Sequence, residues 1–182
     1  MSTLTFAQLR RANLARQGPD GWNRPLHGWS RDDWAVALGG ELGETLNVVK
    51  KLNRARDGMP GNHRSAAELL GDLAEELADT VLYLDLFMAR DDATFEQQIG
   101  DRSFVELRNF TAAYLDDRSP SAIGRAAIQA LAQTVGADRG GILLQRLDEL
   151  AFVHDIDLGA AVVSKFNWTS EKLGFPHRLE AA

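Results

Sequence analysis

Four acidic residues on two consecutive helical segments have the spacing of a divalent-cation site. Glu41 and Glu44 are three positions apart, and on an α-helix that spacing places two side chains within about 60° of each other. Glu76 and Asp79 repeat it on the next segment. If the two helices pack antiparallel, as a short connection favours, the four carboxylates can converge. Oxygen ligands on rigid helices suit Mg²⁺, with Mn²⁺ as the second choice.

Repulsion between these carboxylates decides between two interpretations of the four acids. Two carboxylates about 4 Å apart repel by about 4 kcal/mol at an effective dielectric constant of 20. A converging set must therefore bind protons or a cation. The alternative is an ordinary solvated acidic face, which is the usual position of Glu and Asp in proteins.

The helix that carries the first acidic pair becomes basic further along. Asn47, Lys50 and Lys51 follow within two turns of Glu44. They predict contacts with a metal-bound polyphosphate, because Lys offers a mobile positive charge and Asn an amide donor. A solvated helix end, where the helix dipole favours cations, is the alternative.

An irregular segment, residues 18–30, precedes the acids and is rich in Gly, Pro and aromatic rings. Together with the following Trp34, its residues His27 and Trp29 predict a base-stacking pocket, since aromatic faces stack on any base. Trp34 also precedes Leu38 by four positions and fits a core helix face. The alternative for His27 is a loop histidine without a role.

Glycines interleave with the first acidic pair, although each costs about 1 kcal/mol relative to Ala inside a helix. They indicate either a large group that approaches the backbone or close packing of a second helix. These glycines are Gly39, Gly40 and Gly43.

Capping patterns and helical periodicity extend along the whole chain and predict an all-α fold, a helical bundle of about six helices. Ser30 with Asp33 and Ser65 with Glu68 match capping boxes, so two long helices begin there. The second is expected from about Ala66 to Arg90. Other boundaries are predicted at Gly18, at a third capping box that begins at Ser103, at Pro120, at Gly140 and Gly141, at Asp157 and at Gly174.

Composition limits the classes of function. The chain has 182 residues, 45% of them hydrophobic, which predicts a single domain over 1–182 with a sizeable core. A formal net charge of -6 argues against a nucleic-acid partner. No apolar run suits a membrane span, and the first residues lack a secretory pattern, so a cytoplasmic location is expected. Because the chain has no Cys, a bound metal must use oxygen or imidazole ligands.

Two stretches resemble the MazG-like branch of the all-α NTP pyrophosphohydrolases. Residues 34–51 (WAVALGGELGETLNVVKK) contain E-x-x-E, and residues 75–86 (EELADTVLYLDL) contain E-x-x-D. These two patterns, in this order, are the metal motif of that superfamily. The resemblance here covers about residues 22–90.

The end of the chain resembles the C-terminal part of phage and bacterial MazG-like proteins. The matching residues are Ile156-Asp157-Leu158, Lys165-Phe166-Asn167 and the run SEKLGFP over 170–176. This second stretch covers about residues 147–177. The fold implied by the resemblance is a MazG-like helical bundle.

The resemblance implies a Mg²⁺-dependent enzyme that hydrolyses a nucleoside triphosphate to a monophosphate and pyrophosphate, in control of the nucleotide pool. Glu41, Glu44, Glu76 and Asp79 would be the metal ligands, and a deoxynucleoside triphosphate is the expected substrate. Glu44 is the preferred candidate for the catalytic base, with Glu41 as the other catalytic candidate.

Three further residues match family positions. Tyr83 lies four residues after Asp79 and matches a position near the sugar. Lys165 and Asn167 would reach the phosphates or a neighbouring subunit. From the residue types alone, Tyr83 is a core or interface tyrosine, Lys165 is solvated and Asn167 is a local backbone partner.

Residues 91–146 depart from the family pattern as an insertion, which predicts an extra helical hairpin over 104–114 and 123–135. It would cap the site, replace a subunit contact or bind a separate partner. The resemblance implies a homodimer or homotetramer, which the insertion puts in question. Two alternatives stay open: a catalytically silent helical scaffold and a phosphoribosyl-ATP pyrophosphatase-like enzyme.

Overall fold

A computed structural model describes residues 3–61, 63–100, 102–116, 118–137 and 139–180. Within these ranges the chain forms eight α-helices, one short 3-10 turn and no strand, which confirms the predicted all-α class. The helices are α1 (Phe6–Ala15), α2 (Arg31–Arg56), α3 (Ala66–Arg90), α4 (Phe95–Ile99), α5 (Phe104–Tyr114), α6 (Pro120–Ala137), α7 (Gly140–Val153) and α8 (Leu158–Lys172), and the 3-10 turn is Leu26–Gly28. In this part of the chain no helix combines the length and apolarity that crossing a bilayer requires.

The two long helices α2 and α3 pack against each other in opposite directions. Trp34 near the start of α2 stacks near Tyr83 towards the end of α3, with ring centroids 6.3 Å apart. Near the middle of each helix, the hydroxyl oxygens of Thr45 and Thr80 are 2.9 Å apart in the buried interface. The antiparallel arrangement expected from the short connection is therefore present.

Capping patterns set the start of both helices. The Oγ of Ser30 accepts the N–H of Asp33, and the carboxylate of Asp33 accepts the N–H of Ser30 at 2.9 Å. Ser65 and Glu68 make the same reciprocal pair at the start of α3. Both predicted capping boxes are confirmed.

The third predicted capping box is only half present. Ser103 accepts the N–H of Glu106, but the carboxylate of Glu106 accepts the N–H of Arg102 rather than that of Ser103. The backbone N–H of Ser103 is therefore not part of a reciprocal pair. Two unpredicted boxes occur instead at Thr5 and Thr94, each with a Gln three residues later.

Helix α3 is central to the core and packs against α1, α2, α7 and α8. Its residues Leu73, Leu77, Val81 and Leu84 are fully buried. They belong to one contiguous apolar cluster that also contains side chains of α7. The core therefore holds α2, α3 and α8 in the positions that form the candidate site.

The pairing predicted inside residues 91–146 is wrong. In the structure α6 pairs most extensively with α7, and α5 also packs on α7. The double glycine lets the start of α7 approach α3 and α4 closely: a Cβ on Gly140 would lie 2.4 Å from Met88 Sδ, and one on Gly141 2.5 Å from Ile99 Cγ2. The predicted boundary at Gly140 and Gly141 is confirmed, because α6 ends at Ala137 and these two glycines are the closely packed first residues of α7.

Helix α6 lies along α2 and accounts for only one of the three interleaved glycines. The Leu131 side chain approaches the Cβ position of Gly39 at 3.9 Å, whereas no group lies within 4 Å of that position at Gly40 or Gly43. Asn53 also donates a hydrogen bond to Ser121 at 2.9 Å. Close helix packing therefore explains Gly39, and Gly40 and Gly43 face open space.

Candidate functional site

Three of the four predicted carboxylates converge between α2 and α3. Glu41, Glu44 and Glu76 each offer an oxygen atom, and these oxygens lie within 4.8 Å of one another. The buried hydrogen bond between Thr45 and Thr80 fixes the register of the two helices beside this group. These three side chains are called the acid cluster below.

Asp79, the fourth predicted carboxylate, lies beside the acid cluster in an ion pair. Lys165 Nζ is 2.9 Å from Asp79 Oδ2 and 3.2 Å from Glu75 Oε2. The Lys165 side chain is only 15% exposed, so the interpretation of a solvated lysine is wrong. Helix α8 thus brings a cation to the edge of the acid cluster.

Burial and crowding alter the protonation of these acids. Burial raises the pKa of Glu41 to about 7, and the charges of Asp79, Glu44 and Glu76 act in the same direction. Burial, followed by the charges of Glu44 and Asp79, also raises the pKa of Glu76. Around neutral pH the acid cluster therefore binds protons, or a cation that replaces them.

Asp79 and Lys165 influence each other's protonation. Burial raises the pKa of Asp79, although the ammonium of Lys165 opposes this shift. Burial disfavours the charged form of Lys165, but the carboxylates of Asp79 and Glu75 outweigh it and raise the pKa of Lys165. Lys165 is therefore a firmly charged cation at this site.

A cleft of about 400 Å³ extends from Glu41 and Asp79 along α3. Its walls combine aromatic rings with three cationic side chains. The aromatic residues are Trp22, Trp29, Trp34 and Tyr83, and the cationic ones are Arg16, Arg24 and Lys165. The cleft therefore has an acidic end and an aromatic end, and its walls carry positive charge.

The aromatic end is built on Trp34. This residue is 3% exposed, and its indole N–H donates to the carbonyl oxygen of Leu26 at 3.0 Å, which ties the 3-10 turn to α2. Its ring is 4.8 Å from that of Trp29. Trp34 is thus both a core residue and a wall of the cleft.

Tyr83 lies between the aromatic end and the acids. Burial raises the pKa of its phenol, and the charges of Glu41 and Asp79 add to the shift. The hydroxyl therefore stays protonated and can donate a hydrogen bond.

Other predicted site residues lie outside the cleft. Asn47 and Lys50 are exposed on α2, and Lys51 is half-buried beside them. His27 is exposed on the 3-10 turn and does not line the cleft.

Asn167 makes two backbone hydrogen bonds instead of facing the cleft. Its amide nitrogen donates to the carbonyl oxygen of Leu179, and its amide oxygen accepts the N–H of Leu179, both at 2.8 Å. Asn167 is therefore a backbone partner as interpreted, but of a residue 12 positions along the chain instead of a local one.

The cleft includes seven residues that the sequence did not indicate as site residues: Arg16, Gln17, Trp22, Arg24, Leu82, Leu86 and Thr169. Trp22 packs edge-on against Phe175 with ring centroids 5.2 Å apart, a contact between the two ends of the chain. The ring-rich composition of residues 18–30 was the available signal for Trp22. For Arg16 and Gln17 there was none, because they follow an ordinary polar helix.

The inserted segment does not cap the cleft. None of the described residues within 91–146 is among those that line it. Helix α6 instead covers a face of α2. Two of the three roles considered for residues 91–146 therefore stay open: replacement of a subunit contact, and binding of a separate partner.

Comparisons of this chain with protein-family models, with curated proteins and with solved structures gave no match. The resemblance to MazG-like proteins therefore rests on the residues themselves.

Proposed function

We propose that this chain is a Mg²⁺-dependent nucleoside triphosphate pyrophosphohydrolase that releases a nucleoside monophosphate and pyrophosphate. The observation that carries the proposal is the acid cluster, with oxygens within 4.8 Å, at one end of a cleft with aromatic and cationic walls. A nucleoside triphosphate matches this cleft, because its metal-bound phosphates suit the acidic and cationic groups and its base suits the aromatic walls. Control of the nucleotide pool is the biological role that we infer.

The donor set fits Mg²⁺ or Mn²⁺, because all three oxygens come from carboxylates. The raised pKa of Glu41, about 7, reflects the burial and repulsion that a cation would offset. When bound, the cation would neutralise phosphate charge and acidify a water molecule. Glu41, Glu44 and Glu76 would hold it, and Asp79 would join them when its ion pair with Lys165 opens.

Individual side chains would have distinct roles in the reaction. Glu44 is the most exposed member of the acid cluster and is placed to accept a proton from the attacking water. The water oxygen forms a bond to phosphorus while the anhydride bond to the pyrophosphate oxygen breaks. Lys165 offers positive charge to the phosphates from α8.

The nucleoside would occupy the aromatic end. Trp29 and Trp34 present rings for base stacking. Tyr83 lines the same cleft as Glu41 and Asp79, and its protonated hydroxyl would contact the sugar of a nucleotide whose phosphates lie at the acid cluster. Phosphate contacts by Asn47, Lys50 and Lys51, and assembly as a dimer or tetramer, stay predictions.

Pyrophosphate release from a panel of the common NTPs and dNTPs tests the proposal. We expect release with Mg²⁺ or Mn²⁺, an equal yield of monophosphate, and none with chelator. Absence of release from every nucleotide under both cations would contradict the proposal and favour the silent scaffold. Phosphoribosyl-ATP is added to the panel as a separate substrate, and release confined to it would favour a phosphoribosyl-ATP pyrophosphatase-like enzyme.

A further inference from the structure

Arg16 is a buried cation on the wall of the cleft. The residue is 5% exposed and caps the C-terminus of α1. Its guanidinium carbon lies 3.8 Å from the ring centroid of Phe166, and Nη1 donates to the carbonyl oxygen of Phe166 at 3.2 Å. Two contacts with one residue of α8 therefore hold the guanidinium in place.

These contacts leave much of the guanidinium unsatisfied. Within the described residues Nε has no hydrogen-bond partner, and Arg16 forms no ion pair. Burial lowers the pKa of Arg16 to about 10, so the side chain is still charged at neutral pH. A buried charge without a partner is unfavourable, and proteins normally pair such groups.

Other buried ionic groups in the described ranges follow that rule. Asp85 is paired with Arg10 at 2.7 Å, and Asp148 with Arg108 at 2.9 Å. Arg16 differs from them because it has no ionic partner in the described part of the chain and lies on the wall of an open cleft. An anion that enters the cleft would be its natural partner.

The position along the cleft indicates which anion. The charges of Asp79 and Tyr83 act on Arg16. Along α3 these two residues lie between Glu76, which belongs to the acid cluster, and Leu86, which lies at the aromatic end of the cleft. Arg16 therefore faces the middle of the cleft. A nucleotide with its polyphosphate at the acid cluster and its base between the rings would place its first phosphate there.

We propose that Arg16 binds the phosphate group attached to the nucleoside, an inference that rests on the proposed function for the occupant of the cleft. The planar guanidinium matches a phosphate through two parallel hydrogen bonds. The stacked Phe166 ring already orients the side chain, so little conformational entropy is lost on binding. The monophosphate product keeps this phosphate, and the contact needs no divalent cation.

Titration of the full-length chain in EDTA isolates this contact from turnover. Nucleoside monophosphates and the matching nucleosides would be added while the fluorescence of the cleft tryptophans is followed. The variants are Arg16→Met and Arg16→Lys. Arg11→Met is the matched control, because Arg11 is an exposed arginine of the same helix that does not line the cleft.

We expect Arg16→Met to weaken monophosphate binding by about 10- to 100-fold, as for a lost charged hydrogen-bond pair, and to leave nucleoside binding unchanged. Arg16→Lys should fall between, and Arg11→Met should match the wild type. Unchanged monophosphate binding in Arg16→Met would overturn the proposal. An equal loss of nucleoside and monophosphate binding would also overturn it, because it indicates a role in base recognition or structure. The absence of monophosphate binding by the wild type at millimolar concentration would overturn it as well.

A melting curve separates function from folding. Arg16→Met removes a desolvated cation, so its melting temperature should not be below that of the wild type. If the variant fails to fold, Arg16→Lys decides the question by the same titration.

The outcome is also separable from that of the proposed function. Arg16-dependent monophosphate binding without pyrophosphate release would contradict the hydrolase alone. Hydrolysis with an unchanged KM in Arg16→Met would contradict the assignment of Arg16 alone.

Discussion

Buried charges are paired in the α5–α7 region, which contains Arg108, Asp148 and Glu149, but some of them are left unbalanced in the cleft. Asp148 is 1% exposed and pairs with Arg108 at 2.9 Å, and the buried Glu149 pairs with Arg146 at 2.7 Å. In the cleft, like charges of the acid cluster crowd together, and Arg16 makes no ion pair among the described residues. The unbalanced charge is therefore local, at the place where a cation and a polyphosphate would balance it.

Cavity size does not separate the two regions. A second cavity of about 410 Å³ lies beside Arg108 and Asp148, against about 400 Å³ for the cleft. The most buried ionic groups on its wall already neutralise each other. Charge balance, rather than volume, distinguishes the candidate site.

The largest effect is expected from the acid cluster. Glu41→Gln and Glu76→Gln should each lower kcat by about 10³-fold or more, because each would remove a charge from the proposed cation site, and such a cation supplies several kcal/mol of transition-state stabilisation. Helicity should be intact, since the change relieves repulsion. Steady-state kinetics with Mg²⁺ and circular dichroism measure the two quantities.

The exposed Glu171 on α8 provides a matched control. Glu171→Gln makes the same chemical change away from the cleft and should leave kcat unchanged. Wild-type turnover in both Glu41→Gln and Glu76→Gln would remove the basis for the metal assignment.

The α5–α7 region should respond in stability instead of turnover. Asp148→Asn leaves Arg108 as a buried cation without its ionic partner, so the free energy of unfolding should fall by about 3–5 kcal/mol. The kcat of the folded fraction should be unchanged. Urea unfolding and kinetics measure the two effects. A lower kcat in a fully folded Asp148→Asn variant would contradict the distinction between a region that serves stability and a cleft that serves turnover.

Local signals in the sequence were sufficient to predict the two helices that carry the acidic residues. Ser30 and Ser65 with their acidic partners three residues later fixed the start of α2 and α3, and the E-x-x-E and E-x-x-D spacing predicted the acid cluster. These features depend on neighbours within one or two helical turns. The convergence of the helices required only that they pack antiparallel.

Features that depend on distant residues were missed. The guanidinium of Arg16 is held by Phe166, 150 positions later, and Asp79 is held by Lys165 from another helix. The boundary at the double glycine that begins α7 was predicted, but the close packing of these glycines was not, because their neighbours Met88 and Ile99 lie far away in sequence. Tertiary contacts of this kind leave no local pattern.

The smallest predicted effect concerns stability as a function of pH. Glu41 has a pKa of about 7 in the folded chain against an ordinary value of 4.5. The folded chain therefore binds more protons than the unfolded chain between these values, and its stability should fall as pH rises through 7. Bound Mg²⁺ replaces the protons, so its stabilising effect should grow over the same range.

Melting temperatures from pH 5 to 8, with EDTA and with saturating Mg²⁺, test most directly whether the acid cluster binds a cation. We predict that the two curves meet near pH 5 and separate as pH rises, and that Glu76→Gln reduces the separation while Glu171→Gln does not. Curves that stay parallel, or a separation that is the same in wild type and Glu76→Gln, would contradict the assignment of the acid cluster as a cation site.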